Sequence, residues 1–372
     1  MATATAGNTS QVVRYAVVGA GWIAQSAILP AFAQTTDSRL VAIVTGDDDK
    51  AEALGARYSV KTLPYEGYDA LLDSDEIDAV FVALPNAQHA DYAVRALNAG
   101  KHVLLEKPMA IGVTACETIN AAAQRSGARL MIAYRLHFEP ATLEAIRRVR
   151  AGAIGVPRFF TATFSQHVAA SNHRAQQGFW AGPVADMGPY PINAARNIFG
   201  AEPILVWAFG VQSPDGGPPL HDTVAVTLVF PEQRLAQFTV SYSAQRVDEY
   251  EIVGSSGALR LSPGFDFESG LHLTTLQGES TREEQFPATD QFAGELSYFT
   301  RCILDERPPE PDGLEGLADV RVIAAIERSL LSGTSQVLDP LDVPMRPQPA
   351  QVMRMPPNAG AELVDATEPG QG

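Results

Sequence analysis

Val12-Val13-Arg14-Tyr15-Ala16-Val17-Val18-Gly19-Ala20-Gly21-Trp22-Ile23-Ala24 sets the architecture of this chain. An apolar run of strand formers leads into a G-x-G-x-x-A turn, and a helical pattern follows from Ile23 to Phe32. In such a turn the first glycine makes the tight bend and the second lets the backbone approach a pyrophosphate. The small Ala24 then lets the helix pack closely on the sheet. Amides at the helix N-terminus supply the anion site. The stretch predicts an α/β dinucleotide-binding domain with Gly19, Gly21, Trp22 and Ile23 against the cofactor.

The next strand, Leu40 to Val44, ends in Thr45-Gly46-Asp47-Asp48-Asp49-Lys50. Proteins that bind NAD commonly place an acid at this strand end to accept from the ribose hydroxyls. Here Thr45 stands in the acid's place, Gly46 follows, and Lys50 opens the next helix, a set suited to a ribose 2'-phosphate. The expected cofactor is NADP, with NAD left open. The three aspartates would repel a phosphate if they pointed inward. As a solvated helix start they complement the helix dipole instead.

A third strand, Ala79 to Ala83, runs into Leu84-Pro85-Asn86-Ala87-Gln88-His89. Leu84, Pro85 and Asn86 are placed to flank the cofactor. His89 opens the helix to Asn98, and either reaches the cofactor or serves only as a helix-start residue. A fourth strand ends in Val103-Leu104-Leu105-Glu106-Lys107-Pro108-Met109. Pro108 lacks a backbone donor and biases Lys107 toward an extended conformation, through a trans or a cis peptide, which fixes the direction of the amine. Ligands bind at the carboxyl ends of strands in open parallel sheets. Lys107 therefore reads as the catalytic centre, with Glu106 beside it.

After the strand Leu130 to Ala133, Tyr134-Arg135-Leu136-His137-Phe138 marks the crossing out of this domain, and a helix follows from Pro140 to Arg150. Strands then dominate: Phe159 to Ser165, Leu205 to Phe209, Thr223 to Phe230, Ala236 to Tyr242 and Tyr250 to Gly254. Their alternation predicts an open, mainly antiparallel α+β domain. Within it, Asp186-Met187-Gly188-Pro189-Tyr190 precedes Asn193; on one helix Asp186, Tyr190 and Asn193 would share a face. Asp186 alone also reads as a helix cap. Two late helices, Gln291 to Leu304 and Leu314 to Leu331, flank a proline-rich turn. The expected division is a flexible 1–11, a Rossmann domain at 12–133, a substrate and oligomerisation domain at 134–338, and a proline-rich tail at 339–372 that is extended and then disordered.

The 372 residues suffice for two cores. A net charge of -16 disfavours a nucleic-acid partner, which needs clustered Lys and Arg. No apolar run is long enough to span a membrane. Met1 to Gln11 lacks a basic start and a hydrophobic stretch, so a cytoplasmic protein is expected. Two cysteines, Cys116 and Cys302, are too few for a disulfide framework. His167 and His173 lack ligand-spaced partners, so no metal is expected. Phe160, Ala162, Phe164 and the Val226-Leu228-Phe230 alternation are expected to give the second sheet an apolar patch, and with it a homodimer or homotetramer.

Three strand ends carrying Gly-x-Gly, Leu-Pro-Asn and Glu-Lys-Pro, followed by Asp-x-Gly-x-Tyr, resemble the glucose-fructose oxidoreductase and inositol dehydrogenase family, Gfo/Idh/MocA. The resemblance spans about Val12 to Leu338. It implies a nicotinamide-dependent oxidoreductase of CH–OH groups in which Lys107, Asp186 and Tyr190 are catalytic and Arg135 supports the nicotinamide side. Lys107, Asp186 and Tyr190, joined by Gln166 and His167, would contact the substrate; Phe164 and Arg174 lie where substrate contacts vary within the family. Tyr190 in place of His points to the aldose oxidoreductases: hydride leaves C1 of a glucose- or xylose-like sugar, giving a lactone, with a second sugar as a further acceptor. Alternatives are a keto-sugar, inositol-type or dihydrodiol dehydrogenase, and a catalytically silent NADP-binding sensor. A lysine beside a charged nicotinamide and away from water has its ammonium form disfavoured, so Lys107 is expected to exchange protons near neutral pH. Glucose-fructose oxidoreductase is exported and holds its cofactor partly with an N-terminal arm; the short polar Met1–Gln11 here does not imply that permanent retention.

Overall fold

The computed structural model describes residues 11–169, 172–213, 221–358 and 360–368, apart from the side chains of residues 173 and 175. The expectation for His173 lies outside the described side chains. Six parallel strands form the first sheet: β1 (Val13–Val18), β2 (Ser38–Val44), β3 (Lys61–Leu63), β4 (Ala79–Val82), β5 (His102–Glu106) and β6 (Leu130–Ala133). Their order is β3-β2-β1-β4-β5-β6. The chain winds to one side of β1 and then to the other, so a crevice opens between the carboxyl ends of β1 and β4, the place where such sheets bind ligands. The central strands are near-continuous apolar runs because both faces are covered.

Helices α1 (Asp48–Tyr58), α2 (His89–Asn98) and α3 (Val113–Ser126) belong to this domain, and α4 (Pro140–Arg150) follows the crossing. Asp47 caps α1, its side chain accepting from the Lys50 amide. The second sheet has nine strands: β7 (Pro157–His167), β8 (Leu205–Val211), β9 (Thr223–Phe230), β10 (Arg234–Ser241), β11 (Ser243–Gly254), β12 (Ala258–Leu261), β13 (His272–Gln277), β14 (Ser280–Gln285) and β15 (Gln336–Val337). Its order is β14-β13-β12-β11-β7-β10-β9-β8-β15, antiparallel except for β7 with β10. The short strands β3 and β12 to β15 are not legible in the sequence pattern.

Phe160, Ala162, Val226, Leu228 and Phe230 are buried in the second core. They face helix α5 (Pro189–Phe199) and its neighbours, which corrects their expected role as an outward patch. The outward apolar side chains are the out-of-phase ones, Phe159, Trp207, Phe209 and Leu235, with Phe209 68% exposed. A one-residue difference in register exchanges the two faces of a strand.

Two helices then return to the first domain. One is α6 (Gln291–Leu304), whose Phe292, Leu296 and Phe299 share a core with Tyr15, Val17 and Phe81. The other is α7 (Gly313–Ser332): Leu317 and Val320 belong to the core on the opposite face of the first sheet, while Val322, Ile323 and Ile326 belong to the core of the second. One helix is therefore interior to both domains.

The tail beyond residue 339 carries little regular structure, but its described part is held rather than disordered. The Met353 amide donates to the Phe138 carbonyl (3.1 Å) and the Asp290 amide to the Met355 carbonyl (3.2 Å). Met353, Met355 and Val364 pack on the first domain. Prolines removed the periodicity without removing these contacts. Among the described residues, no helix is long and apolar enough to cross a membrane, and no group of three or more His, Cys, Asp or Glu side chains is placed to hold a metal.

Candidate active site

The crevice is a cleft of about 800 Å³ lined by the β1, β2, β4 and β5 strand ends and by residues of the second sheet. Gly19 has φ +98°, and a Cβ there would sit 2.4 Å from the Ala83 carbonyl oxygen, so only glycine lets the β1 and β4 ends meet. At Gly21 a Cβ would meet nothing within 4 Å and would instead enter open cleft space. That is the room a pyrophosphate needs beside Trp22 and Ile23, which line the same wall.

At the β2 end, Thr45 is buried, and Gly46, Asp47 and Lys50 line the cleft. Asp48 and Asp49 are exposed and absent from the cleft wall. Asp47 is engaged by the Lys50 amide (2.9 Å) and ammonium (3.3 Å). Two of the three aspartates therefore turn away, and the third is occupied as a cap. A hydroxyl, a glycine and a lysine with no free acid fit a dinucleotide phosphorylated at its adenosine ribose.

Leu84, Pro85 and Asn86 also line the cleft. Asn86 donates through Nδ2 to the Trp180 carbonyl (2.6 Å), joining the β4 end to the second domain. His89 does not reach the cofactor space. It is fully buried, with Nδ1 on the Pro108 carbonyl (2.9 Å) and Nε2 on the Leu84 carbonyl (2.8 Å). Burial lowers its pKa while the two carbonyls raise it, and the ring, set between them, ties the β4 end to the segment after β5. That tie supports the lysine, because Pro108 follows Lys107 directly, across a cis peptide.

Lys107 projects from the end of β5 into the cleft. Its ammonium donates to the Asp186 carbonyl (2.8 Å) and Oδ1 (3.2 Å), and lies 5.1 Å from the centre of the Tyr190 ring. Asp186 Oδ2 accepts from Tyr242 Oη (3.0 Å) and faces Arg174 Nε at 3.7 Å. Burial raises the Asp186 pKa, but Arg174, Lys107 and the Tyr242 hydrogen bond prevail and hold it at about 2. Among these neighbours Lys107 keeps its proton. Burial pulls its pKa down, yet Tyr190, Asp186 and Glu106 together leave it above the ordinary lysine value. Lys107 is an ammonium here and a hydrogen-bond donor. Burial raises Glu106 to about 6 despite Lys107 and Arg135 beside it.

The single helix expected to carry Asp186 and Tyr190 is two. A short turn, Pro183–Asp186, ends before α5 begins at Pro189. Pro189 and Pro191 lack the amides that would continue the helical ladder. Both side chains still converge on Lys107, whereas Asn193 points away. It joins a buried cluster with His137 (2.7 Å) and Glu315 (2.8 Å). Arg135 is largely occupied structurally. It donates to the Phe265 carbonyl (2.6 Å) and to Gln291, and lies 4.9 Å from the Tyr190 ring centre. Phe164, Gln166 and Arg174 line the cleft, but His167 is exposed outside it, one residue out of phase with Gln166 on β7.

The sequence reading missed Tyr242, the wall Phe265-Asp266-Phe267-Glu268, and Asp365 to Glu368 from the tail. The two phenylalanines in a glycine-flanked loop were a usable signal; the tail offered none.

Residues 13–134 match the model of the oxidoreductase family with an NAD-binding Rossmann fold, GFO_IDH_MocA, and residues 142–260 match the GFO/IDH/MocA C-terminal domain. A D-xylose 1-dehydrogenase [NADP(+)] from Haloarcula marismortui is 30% identical over 328 residues, 86% of this chain and 91% of its own length. The chain belongs to the Gfo/Idh/MocA oxidoreductase family. Among solved members, an aldose-aldose oxidoreductase from Caulobacter crescentus complexed with glycerol superposes with a TM-score of 0.83 at 32% identity, covering 88% of this chain and all of its own. A 3-ketoreductase from Actinomadura kijaniata, solved with NADP and TDP-benzene, gives 0.79 at 28% identity, covering 86% and 98%. As a Gfo/Idh/MocA member, the chain is an oxidoreductase with a parallel Rossmann domain followed by a mixed, mostly antiparallel sheet domain.

Proposed function

We propose that this NADP-dependent sugar oxidoreductase oxidises a cyclic aldose of the glucose or xylose type at C1 to the lactone, with a second sugar able to take the hydride back. The observation that carries the reading is the convergence of Lys107, Asp186 and Tyr190 at the β5 end of the cleft. NADP, when bound, supplies the hydride acceptor. Asp186 fixes the Lys107 ammonium, which donates to the sugar hydroxyl and orients its carbon. As the hydride leaves C1, the C1 hydroxyl proton passes to the Tyr190 oxygen, whose own proton leaves to water in the cleft. Gln166 and Arg174 on the facing wall supply polar partners for the remaining hydroxyls. The xylose dehydrogenase and the aldose-aldose oxidoreductase support this reading.

A keto-sugar reductase is the second reading. Arg174 and Arg246 both line the cleft, where they could meet the phosphates of a nucleotide-linked sugar, and the Actinomadura ketoreductase supports it. The two are separated by absorbance at 340 nm. A rise when aldoses and NADP are added supports aldose oxidation; no rise with any aldose, with NADPH consumed on a keto-sugar, supports the second.

The outward apolar row on β7, β8 and β10 supports assembly through the second sheet. Phe209→Glu together with Trp207→Glu is expected to halve the particle mass in light scattering. A wild-type monomer contradicts the assembly.

A further inference from the structure

The described tail does more than cross the surface. It ends in the wall of the cofactor cleft, where Asp365, Ala366, Thr367 and Glu368 face the same space as Gly21 and Trp22. Two contacts bring it there. Arg57, at the end of α1, donates to the Glu362 carbonyl (2.6 Å). Gln25 pairs in both directions with the Val364 main chain: the Val364 amide donates to Oε1 (2.7 Å), and Nε2 donates to the Val364 carbonyl (2.8 Å). Gln25 is fully buried, and its Nε2 also donates to the Ala20 carbonyl inside the glycine-rich turn (2.8 Å). One side chain thus clasps the tail to the turn that receives the pyrophosphate.

We infer that residues 362–368 are part of the cofactor site and strap the bound dinucleotide in place between turnovers. The inference rests on the reading of the cleft as an NADP site. The strap can both close and lift. It has no regular structure of its own, so its release breaks a few local hydrogen bonds and lifts only Val364 from the margin of the first core. The two relatives of known structure are covered almost completely, at 98% or more, yet account for 86–88% of this chain. This chain carries material that they lack. A retained cofactor favours return of the hydride to a second sugar over exchange with free NADP.

The test uses bound NADPH, displaced by excess NADP and followed by its fluorescence. Three proteins are compared: the full chain, a chain ending at Asn358, and full-length Val364→Pro, which removes the amide that Gln25 accepts. Both altered proteins are expected to release NADPH at least ten-fold faster than the full chain. Release within two-fold of the full chain overturns the strap. If the shortened chain has lost its cooperative melting, Val364→Pro decides by the same thresholds. A full chain that holds NADPH but oxidises no aldose fails the proposed function and leaves this measurement interpretable.

Discussion

Tyr190→Phe and Lys107→Met are each expected to lower sugar-dependent NADP reduction by 10²- to 10⁴-fold, about 3–5 kcal/mol in the barrier. NADPH binding is expected to stay within a few-fold. The phenylalanine ring keeps its edge contact with Phe164, its tilted contact with Phe265 and its place under Arg135, so only the proton-exchanging oxygen is lost. The methionine fills the lysine's volume but donates nothing to Asp186 or to substrate. It also removes a cation that helps to hold the Asp186 pKa at about 2, while Arg174 and Tyr242 remain. Turnover is read by absorbance and binding by NADPH fluorescence, with melting as the control for folding. Full activity in both variants would remove the basis for the proposed chemistry.

The second large effect is on stability. Arg196 on α5 is fully buried and meets three carboxylates: Glu202 (2.6 Å), Glu315 (3.0 Å) and Asp319 (2.5 Å). Removing one partner of a buried pair leaves uncompensated charge and costs about 3–5 kcal/mol. Arg196→Met is expected to show that loss in urea unfolding at pH 8. The pH dependence has a definite sign. Asp319 already titrates at about 6, because burial raises it more than Arg196 lowers it. Without the arginine, the Asp319 pKa rises further and that of Glu315, which Arg196 now helps to hold below its ordinary value, rises as well, while in the unfolded chain both stay near 4. The folded state then binds more protons than the unfolded one between these values, so stability falls as pH rises through that window. The Arg196→Met loss is therefore expected to be smaller at pH 5 than at pH 8. Equal losses at both would show that the site is sensitive to shape rather than charge.

Which parts were legible in the sequence follows from where the information lies. Gly19, Gly21 and Lys107 sit in short motifs whose backbone demands are local, so residue type and neighbours suffice. Thr45 and Lys50 were legible as types, but the direction of Asp47, Asp48 and Asp49 depended on where α1 begins. His89 was ambiguous because its two carbonyl partners, on Leu84 and Pro108, lie on different strand ends that only the folded sheet brings together. His167 failed on strand phase, and the outward patch failed for the same reason: alternation shows that a strand has two faces, not which one is covered. The neighbours that bear on the Lys107 proton were not legible, because Tyr190 and Asp186, the latter 79 residues away in sequence, meet it only in the fold. The tail was illegible for a simpler reason. Its hydrogen bonds with Gln25, Arg57, Phe138 and Asp290 run through its own main-chain groups, which carry no residue signature.

The helix α7 contributes Val320 to one core and Ile323 to the other, and Arg196 fastens α5 to it. A jaw cannot swing on a pin that is cemented into both of its halves. Opening the two domains would strain two hydrophobic interiors at once. A route that spares both interiors runs past residues 365–368 in the cleft wall, where the strap inferred above lies.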